Sequence, residues 1–141
     1  MDQQLPLYEK WVIIPVVAAP KAVTRIDHRI PANVTHCSGV AFSVIEAQGA
    51  FNPNYMGEVS LLFNNKKSHP LNFHVECRIR KFRMDEIILK LDEPLIGGSH
   101  VSGYYRNPLC IPHTVNIYLQ CIAQTNSLKH YVQFYHRIHC Q

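Results

Sequence analysis

The histidine and cysteine side chains are the candidates for metal binding, so their spacing comes first. The sequence has nine His and five Cys, and His136, His139 and Cys140 lie close together. Successive side chains of a strand point to opposite faces, which would separate His139 from His136 and Cys140. Structural zinc sites use closely spaced ligand pairs such as C-x-x-C, and this sequence has none. It therefore predicts no metal site and no cofactor.

Catalytic residue patterns are the second test. Nucleophilic catalysis needs a Ser or Cys beside an oriented base, and the sequence contains no G-x-S-x-G motif. Glycosidases need two carboxylates about 5–9 Å apart in one site. The adjacent acidic pairs Asp85-Glu86 and Asp92-Glu93 would be directed to opposite faces if they lay on strands. We therefore expect that the protein is not an enzyme.

The cysteines are irregularly spaced and odd in number. They are Cys37, Cys77, Cys110, Cys121 and Cys140. The apolar run at 11–19 has the length of a signal peptide, but the residues before it include Asp2 and Glu9 rather than a cationic segment. We interpret the run as a first strand and not as an export signal. The cysteines are accordingly expected to be reduced thiols that are mostly buried.

The charge distribution bears on nucleic acid and on membranes. The formal net charge is +4, and the basic residues cluster only at 78–83 (RIRKFR). This cluster could contact phosphates, or it could be a solvated strand end followed by a turn; we favour the second interpretation. A membrane-spanning helix needs about 18 consecutive apolar residues, and no stretch approaches that length. Neither nucleic acid nor a membrane is therefore expected as a partner.

The segment 97–108 (GGSHVSGYYRNP) is a candidate contact region that we predict to be a loop. Tyr104 and Tyr105 are amphipathic, and together with Ser, Gly, His and Asn they are typical of adaptable surfaces that bind proteins or sugars. The alternative is that one tyrosine anchors the loop in the core while the other lies on the surface. The sequence leaves both arrangements open.

The C-terminal run is a second candidate contact region. It alternates Val132, Phe134 and Ile138 with a face that includes Tyr131, Tyr135 and Arg137. Tyr and Arg are enriched in the cores of protein interfaces. Only 17% of the residues in the chain are charged, whereas free-standing β proteins protect their edges and surfaces with charges. We therefore expect part of the surface to lie against other proteins.

Strands must position these residues, because period-two alternation is the main pattern in the sequence. Leu71, Phe73, Val75, Cys77 and Ile79 alternate with polar residues, and a polar turn joins this segment to a strand that begins near 57. The other predicted strands lie at 11–19, 21–30, 40–44, 87–91, 114–121 and 131–139. About eight strands divided by Pro, Gly and Asn indicate an all-β fold. We predict one domain over 1–141, an antiparallel β-sandwich or jelly roll.

Three segments carry a resemblance to a known group of proteins. They are 27–44 (DHRIPANVTHCSGVAFSV), 57–73 (GEVSLLFNNKKSHPLNF) and 115–121 (VNIYLQC). In their polar, Asn-rich turns and short strands they resemble small virion proteins of crAss-like tailed phages, which infect Bacteroidetes. The resemblance implies a bacteriophage structural protein in the virion, assembled in the host bacterial cytoplasm. It includes no catalytic or binding motif, so no functional residue is carried over.

The expected function is that of a structural subunit. The resemblance implies a capsid auxiliary, decoration or head-fibre-associated protein, with a portal or tail-barrel component as an alternative. The subunit would form an oligomer by protein–protein interaction with copies of itself or with other virion proteins. The residues expected at these contacts are Tyr104, Tyr105, Tyr131, Tyr135 and Arg137. A different alternative is a carbohydrate-binding β-sandwich module that uses Tyr104, Tyr105, His100 and Asn107.

Overall fold

The computed structural model describes residues 6–45, 55–63, 70–76 and 87–125 and contains eight strands in these segments. The strands are β1 (Leu7–Ala18), β2 (Val23–Arg29), β3 (Val34–Ile45), β4 (Gly57–Leu62), β5 (Leu71–Val75), β6 (Leu89–Pro94), β7 (His100–Arg106) and β8 (His113–Gln124). They form two four-stranded antiparallel sheets, in the orders β1-β8-β3-β6 (the first sheet) and β2-β7-β4-β5 (the second sheet). The predicted antiparallel β-sandwich is confirmed.

The strand order is that of a jelly roll. The first half of the chain pairs with the second half in reverse order: β1 with β8, β2 with β7, β3 with β6 and β4 with β5. This is the pairing of one long antiparallel hairpin. The additional pairs β3–β8 and β4–β7 roll that hairpin into two facing sheets. A double-sheet roll of eight strands with this connectivity is the jelly-roll architecture.

The alternation in the sequence selects the face that each strand buries. In β8, the side chains of Val115, Ile117, Leu119 and Cys121 are all fully buried, while the residues between them are partly exposed. In β2, Ile26 is buried between the exposed residues Arg25 and Asp27. Both patterns agree with the sequence prediction. Opposite faces of one strand thus separate the core from the surface.

The core lies between the two sheets. It combines apolar side chains from every strand of the first and second sheets except β6, whose Leu91 packs against it. Its largest fully buried members include Tyr105, Met56, Leu61, Ile117 and Leu119. Because both sheets direct their apolar residues inward, each sheet is left with one outer face. The positions on these two outer faces are the candidates for contact with other molecules.

The segment 97–108 differs from the predicted loop, because residues 100–106 form β7, an inner strand of the second sheet. Glycines are typical of loops, but the glycine at position 103 is needed for a different reason. Its φ is +151°, and a Cβ atom built on it would lie 1.8 Å from the carbonyl oxygen of Ser60. Glycine is therefore required where β7 approaches β4 closely.

Several predicted features lie outside the described residues. These are the turn at 64–69, the basic cluster at 78–83 and the C-terminal strand with Tyr131, Tyr135 and Arg137. Several predicted strands have different bounds: β1 begins at Leu7 rather than Trp11, β3 begins at Val34 rather than Val40, β6 begins at Leu89 rather than Ile87, and β8 ends at Gln124 rather than Cys121. In the described part of the chain, no helix is long and apolar enough to span a membrane.

Candidate interaction surface

The outer faces of the two sheets differ in charge. On the second sheet, the outward positions carry many charged and aromatic groups, and we call this set the charged face: Arg25, Asp27, Arg29, Glu58, His74, His100, Tyr104 and Arg106. On the first sheet, the outward positions at the centre carry no Asp, Glu, Lys, Arg or His, and we call this set the uncharged face: Trp11, Ile13, Pro15, Val17, Ala41, Ser43, Thr114, Asn116, Tyr118 and Gln120.

Strand β1 makes the uncharged face apolar along one side. Its inward residues Val12, Ile14 and Val16 are buried. Its outward residues are also apolar, and they are accessible: Ile13 is 50% exposed and Val17 is 75% exposed. Apolar surface that is continuous along a strand is unusual on a protein that stays monomeric. The outward side of β1 therefore has the character of an interface.

Among the described strands, none pairs with the side of β1 that faces away from β8. The Thr125 amide donates to the Pro6 carbonyl oxygen at 3.2 Å, continuing the register of the β1–β8 ladder. In an antiparallel ladder every second residue hydrogen-bonds to the neighbouring strand, so the even-numbered residues of β1 direct their backbone N–H and C=O groups to β8. The odd-numbered residues, from Leu7 to Val17, direct their N–H and C=O groups to the open edge. Pro15 lies among them, where its missing N–H removes no bond to β8.

A cross-strand pair of thiols lies in the middle of the first sheet. Cys37 and Cys121 are partners in the β3–β8 register, between two register shifts of β3, and both are buried. The hydrogen bond with Cys37 and the burial of the thiol raise the pKa of Cys121. A buried thiol with a raised pKa is a poor nucleophile. The same hydrogen bond lowers the pKa of Cys37, but both free thiols are buried and pack as small apolar groups, whereas the free Cys110 is exposed.

A buried polar cluster ties the two sheets together. The hydroxyl of Tyr105 in β7 donates to the carbonyl oxygen of Met56 at 3.0 Å and lies 2.6 Å from Nε2 of His113 in β8. Burial, followed by the nearby Tyr55, raises the pKa of the Tyr105 phenol. A Cβ atom on Gly57 would lie 2.3 Å from this hydroxyl, so glycine leaves the room that the cluster needs. The cluster joins β7 of the second sheet to β8 of the first.

The predicted contact residues of the segment 97–108 separate into two groups. Tyr104 is 48% exposed on the charged face, whereas Tyr105 is fully buried. This is the arrangement in which one tyrosine anchors the segment and the other lies on the surface. His100 is exposed and its Nδ1 lies 2.6 Å from Oδ1 of Asp27. Asn107 is buried, and its amide donates to the carbonyl oxygens of Ala19 and Ile111.

The imidazole–carboxylate pairs of the described segments lie at the surface. Besides His100 and Asp27, His36 Nε2 lies 2.8 Å from Oδ1 of Asp92, whose side chain is almost fully exposed. Within 6–45, 55–63, 70–76 and 87–125, no group of three His, Cys, Asp or Glu side chains is placed to hold a metal ion. Each of these pairs thus stands as an exposed ion pair or hydrogen bond, a kind that contributes little to stability.

The sequence did not identify the outward residues of β1 as contact residues. Trp11, Ile13 and Val17 belong to the apolar run at 11–19, which was interpreted as a first strand without a preferred face. A run that is apolar at every position normally predicts burial on both faces. The packing of the two described sheets shows that β1 buries one face in the core and exposes the other.

Comparison with known proteins gives no relative: no protein-family model, curated protein or solved structure matches this chain. We therefore infer function from the geometry of the two faces and from the fold.

Proposed function

We propose that this protein is a structural subunit of a virion that acts by packing against other proteins. The observation that carries the proposal is the uncharged face, with the exposed apolar side chains of Ile13 and Val17 on the edge strand β1. Proteins that remain monomeric protect such edges with Lys, Glu or short strands. Here β1 has twelve residues, and no charged residue follows Lys10 in it.

The fold supports a place in the virion. Jelly rolls are common among viral capsid proteins, and they also occur in lectins and cupins. Since one fold hosts several functions, the proposal rests on the surface, and the uncharged face supports a packing role. Together with the resemblance to small virion proteins of crAss-like phages, it favours a capsid auxiliary, decoration or head-fibre-associated protein. A portal or tail-barrel component would use the same kind of contact.

The mechanism is multivalent packing. Burial of apolar surface contributes about 25 cal/mol per Å², so one strand's outer face supplies a modest contact. On a symmetric particle each subunit makes the same contact many times, and the repeated contacts add up to a stable lattice. The partners are copies of this chain or other virion proteins. No reaction and no cofactor are needed for this function.

Light scattering of the purified chain tests the proposal. We expect the mean mass to rise with concentration in the micromolar range. The same rise should be seen in high salt, because the uncharged face has no charges to screen. A mass equal to that of one chain at every concentration would contradict self-association. The Tyr131→Ala/Tyr135→Ala double variant should assemble more weakly than the parent if the C-terminal residues contribute. Unchanged assembly would remove them from the interface.

A carbohydrate-binding module is the second candidate, and one observation favours it. Tyr104 is exposed in the middle of the charged face, with Arg25 opposite it on β2 and Ser60 opposite it on β4. An exposed aromatic ring beside hydrogen-bonding side chains can stack against a sugar. A glycan array tests this candidate: a saccharide signal that Tyr104→Ala removes would support it, and an array without signal would exclude those sugars.

A further inference from the structure

In the described part of the chain, the side of β1 away from β8 presents backbone donors and acceptors that pair with no other strand; one of them, the Val17 carbonyl oxygen, accepts a hydrogen bond from the Thr24 hydroxyl at 3.5 Å. The odd-numbered residues from Leu7 to Val17 direct these groups away from β8, as the Thr125–Pro6 hydrogen bond shows. Among the described strands none pairs with this side. The groups are spaced for a further antiparallel or parallel strand, and exposed edges of this kind accept one readily.

We propose that β1 pairs antiparallel with β1 of a second copy of this chain about a two-fold axis at Val12. This inference rests on the proposed function, because it names the partner that the uncharged face contacts. The two first sheets would then join into one continuous sheet. With a two-fold axis, each copy contributes the same strand to the contact, which is the arrangement of an isologous interface.

The register is the one that gives the largest overlap of the two open edges, since Val12 is the midpoint between Leu7 and Val17. An axis at Val12 places Leu7 opposite Val17 of the second copy and Trp11 opposite Ile13 of the second copy. These residues are all odd-numbered, so their backbone groups face one another across the interface. Glu9 then lies opposite Pro15, whose missing N–H is the one donor absent from that pairing. This register overlaps the full open edge of both strands.

The side chains are compatible with this register. Leu7 is 61% exposed and Val17 is 75% exposed, and each would cover the other across the interface. Trp11 and Ile13 form the neighbouring apolar contact on the same face. Cross-strand apolar pairs of this kind are the unit that stabilises a sheet. The most exposed apolar residues of β1 are thus the ones that meet.

The charges are also compatible. Glu9 lies opposite Pro15 and Lys10 lies opposite Ile14, so no like charges meet. The two Glu9 residues are six positions apart along the strands, about 20 Å at about 3.4 Å per residue. That distance exceeds the screening length of about 8–10 Å at moderate salt. The two Glu9 carboxylates therefore do not repel each other appreciably in this register.

The other edge of the first sheet explains why β1 is the strand that pairs. Strand β6 has six residues, among them Lys90, Asp92 and Glu93, and it ends at Pro94. Short length, charge and proline are the features that prevent an edge from accepting another strand. Strand β1 contains Glu9, Lys10 and Pro15, and Pro15 removes one donor from its open edge, but β1 has twice the length of β6 and carries no charge over residues 11–17. Of the two edges of this sheet, β1 is the one that accepts a partner.

Disulfide cross-linking tests the register. Leu7→Cys and Val17→Cys are made as single variants in a Cys110→Ser background, because Cys110 is exposed. A mixture of the two variants under oxidised glutathione should give a cross-linked dimer. Residue 7 of one copy would lie opposite residue 17 of the other, and opposed strand residues have their Cα atoms within the range of about 4.4–6.8 Å that a disulfide needs. Leu7→Cys alone should give none, because its two copies would be about 34 Å apart at about 3.4 Å per residue. The Cys110→Ser parent gives the background.

Hydrogen exchange of the unsubstituted chain gives an independent readout. The amides of Leu7, Trp11 and Ile13 should exchange rapidly in dilute solution and become protected as the concentration rises. Assembly without the mixed cross-link and without this protection would overturn the β1–β1 pairing while the proposed function stands. A monomer with protected amides would mean that another part of the same chain covers β1, which overturns it as well. A monomer with unprotected amides at every concentration overturns both the pairing and self-association.

Discussion

The two outer faces of the sandwich are built by the same rule and end with opposite properties. In both sheets alternate residues fill one shared core, so the outward residues are free of packing constraints. The second sheet uses that freedom for charge, with Arg25, Asp27 and Arg29 on β2 alone. The first sheet places Ile13, Pro15 and Val17 at the equivalent outward positions of β1. Under the proposed function, the second sheet faces solvent and the first sheet faces protein.

The largest loss of stability is expected at Gly103, where β7 lies close against β4 in the second sheet. Gly103→Ala would place a Cβ atom 1.8 Å from the Ser60 carbonyl oxygen, at a φ that disfavours side chains. We expect the free energy of unfolding to fall by about 3 kcal/mol, from overpacking and backbone strain together. Urea unfolding followed by tryptophan fluorescence measures it. A loss below about 1 kcal/mol would show that β7 and β4 can separate at this point.

Removal of the buried polar cluster that joins the two sheets should cause an intermediate loss of stability. Tyr105→Phe removes the hydroxyl that bonds to Met56 and His113 and leaves the ring in place. We expect a loss of about 1–2 kcal/mol, because the buried acceptor and the imidazole lose a partner. The same unfolding experiment measures it. A neutral result would mean that packing alone holds the sheets together at this end.

The pH dependence of stability isolates that hydroxyl. Because burial raises the pKa of Tyr105 above that of the unfolded chain, the folded state keeps a proton that the unfolded state releases above about pH 10. The stability that this phenol contributes is present below pH 10 and falls as the pH rises further. Unfolding between pH 8 and 11 should show a steeper decline for the parent chain than for Tyr105→Phe. Parallel curves would contradict a buried phenol.

The smallest effect is expected on the charged face itself. Asp27→Asn weakens the contact with His100, but both side chains are half exposed. Exposed pairs contribute about 0–1 kcal/mol, so we expect a change in stability of less than about 1 kcal/mol. Assembly, measured by light scattering, should not change. A loss of assembly in Asp27→Asn would reverse the comparison, since it would make the charged face an interface.

Much of the fold follows from the sequence where one face of a strand is buried. The alternation in β8 and β2 gives both the strand and its inward residues, because a period of two admits only one assignment of faces. Strand β7 was missed because glycine predicts a turn, whereas Gly103 serves a close approach between strands that no local pattern records. The order of the strands depends on pairing between distant segments, which alternation does not specify.

The candidate interface was harder to predict than the fold. Tyr104 and Tyr105 are identical in type and adjacent, and only the register of β7 decides that one is exposed and the other buried. The outward residues of β1 were hidden in a uniformly apolar run, since such a run is typical of a strand covered on both faces. Tyr131, Tyr135 and Arg137 lie outside the described residues and stay a prediction.

The most direct measurement compares one substitution on the two faces. Val17 on β1 and Val23 on β2 are both valines on edge strands, with 75% and 63% exposure. Val17→Lys and Val23→Lys therefore add the same charge at matched positions of the uncharged and the charged face. Light scattering across micromolar concentrations should show that Val17→Lys assembles at least about tenfold more weakly than the parent, the cost of burying an unpaired charge. Val23→Lys should assemble like the parent. Equal assembly of both variants, or a loss confined to Val23→Lys, would contradict the assignment of the uncharged face as the interface.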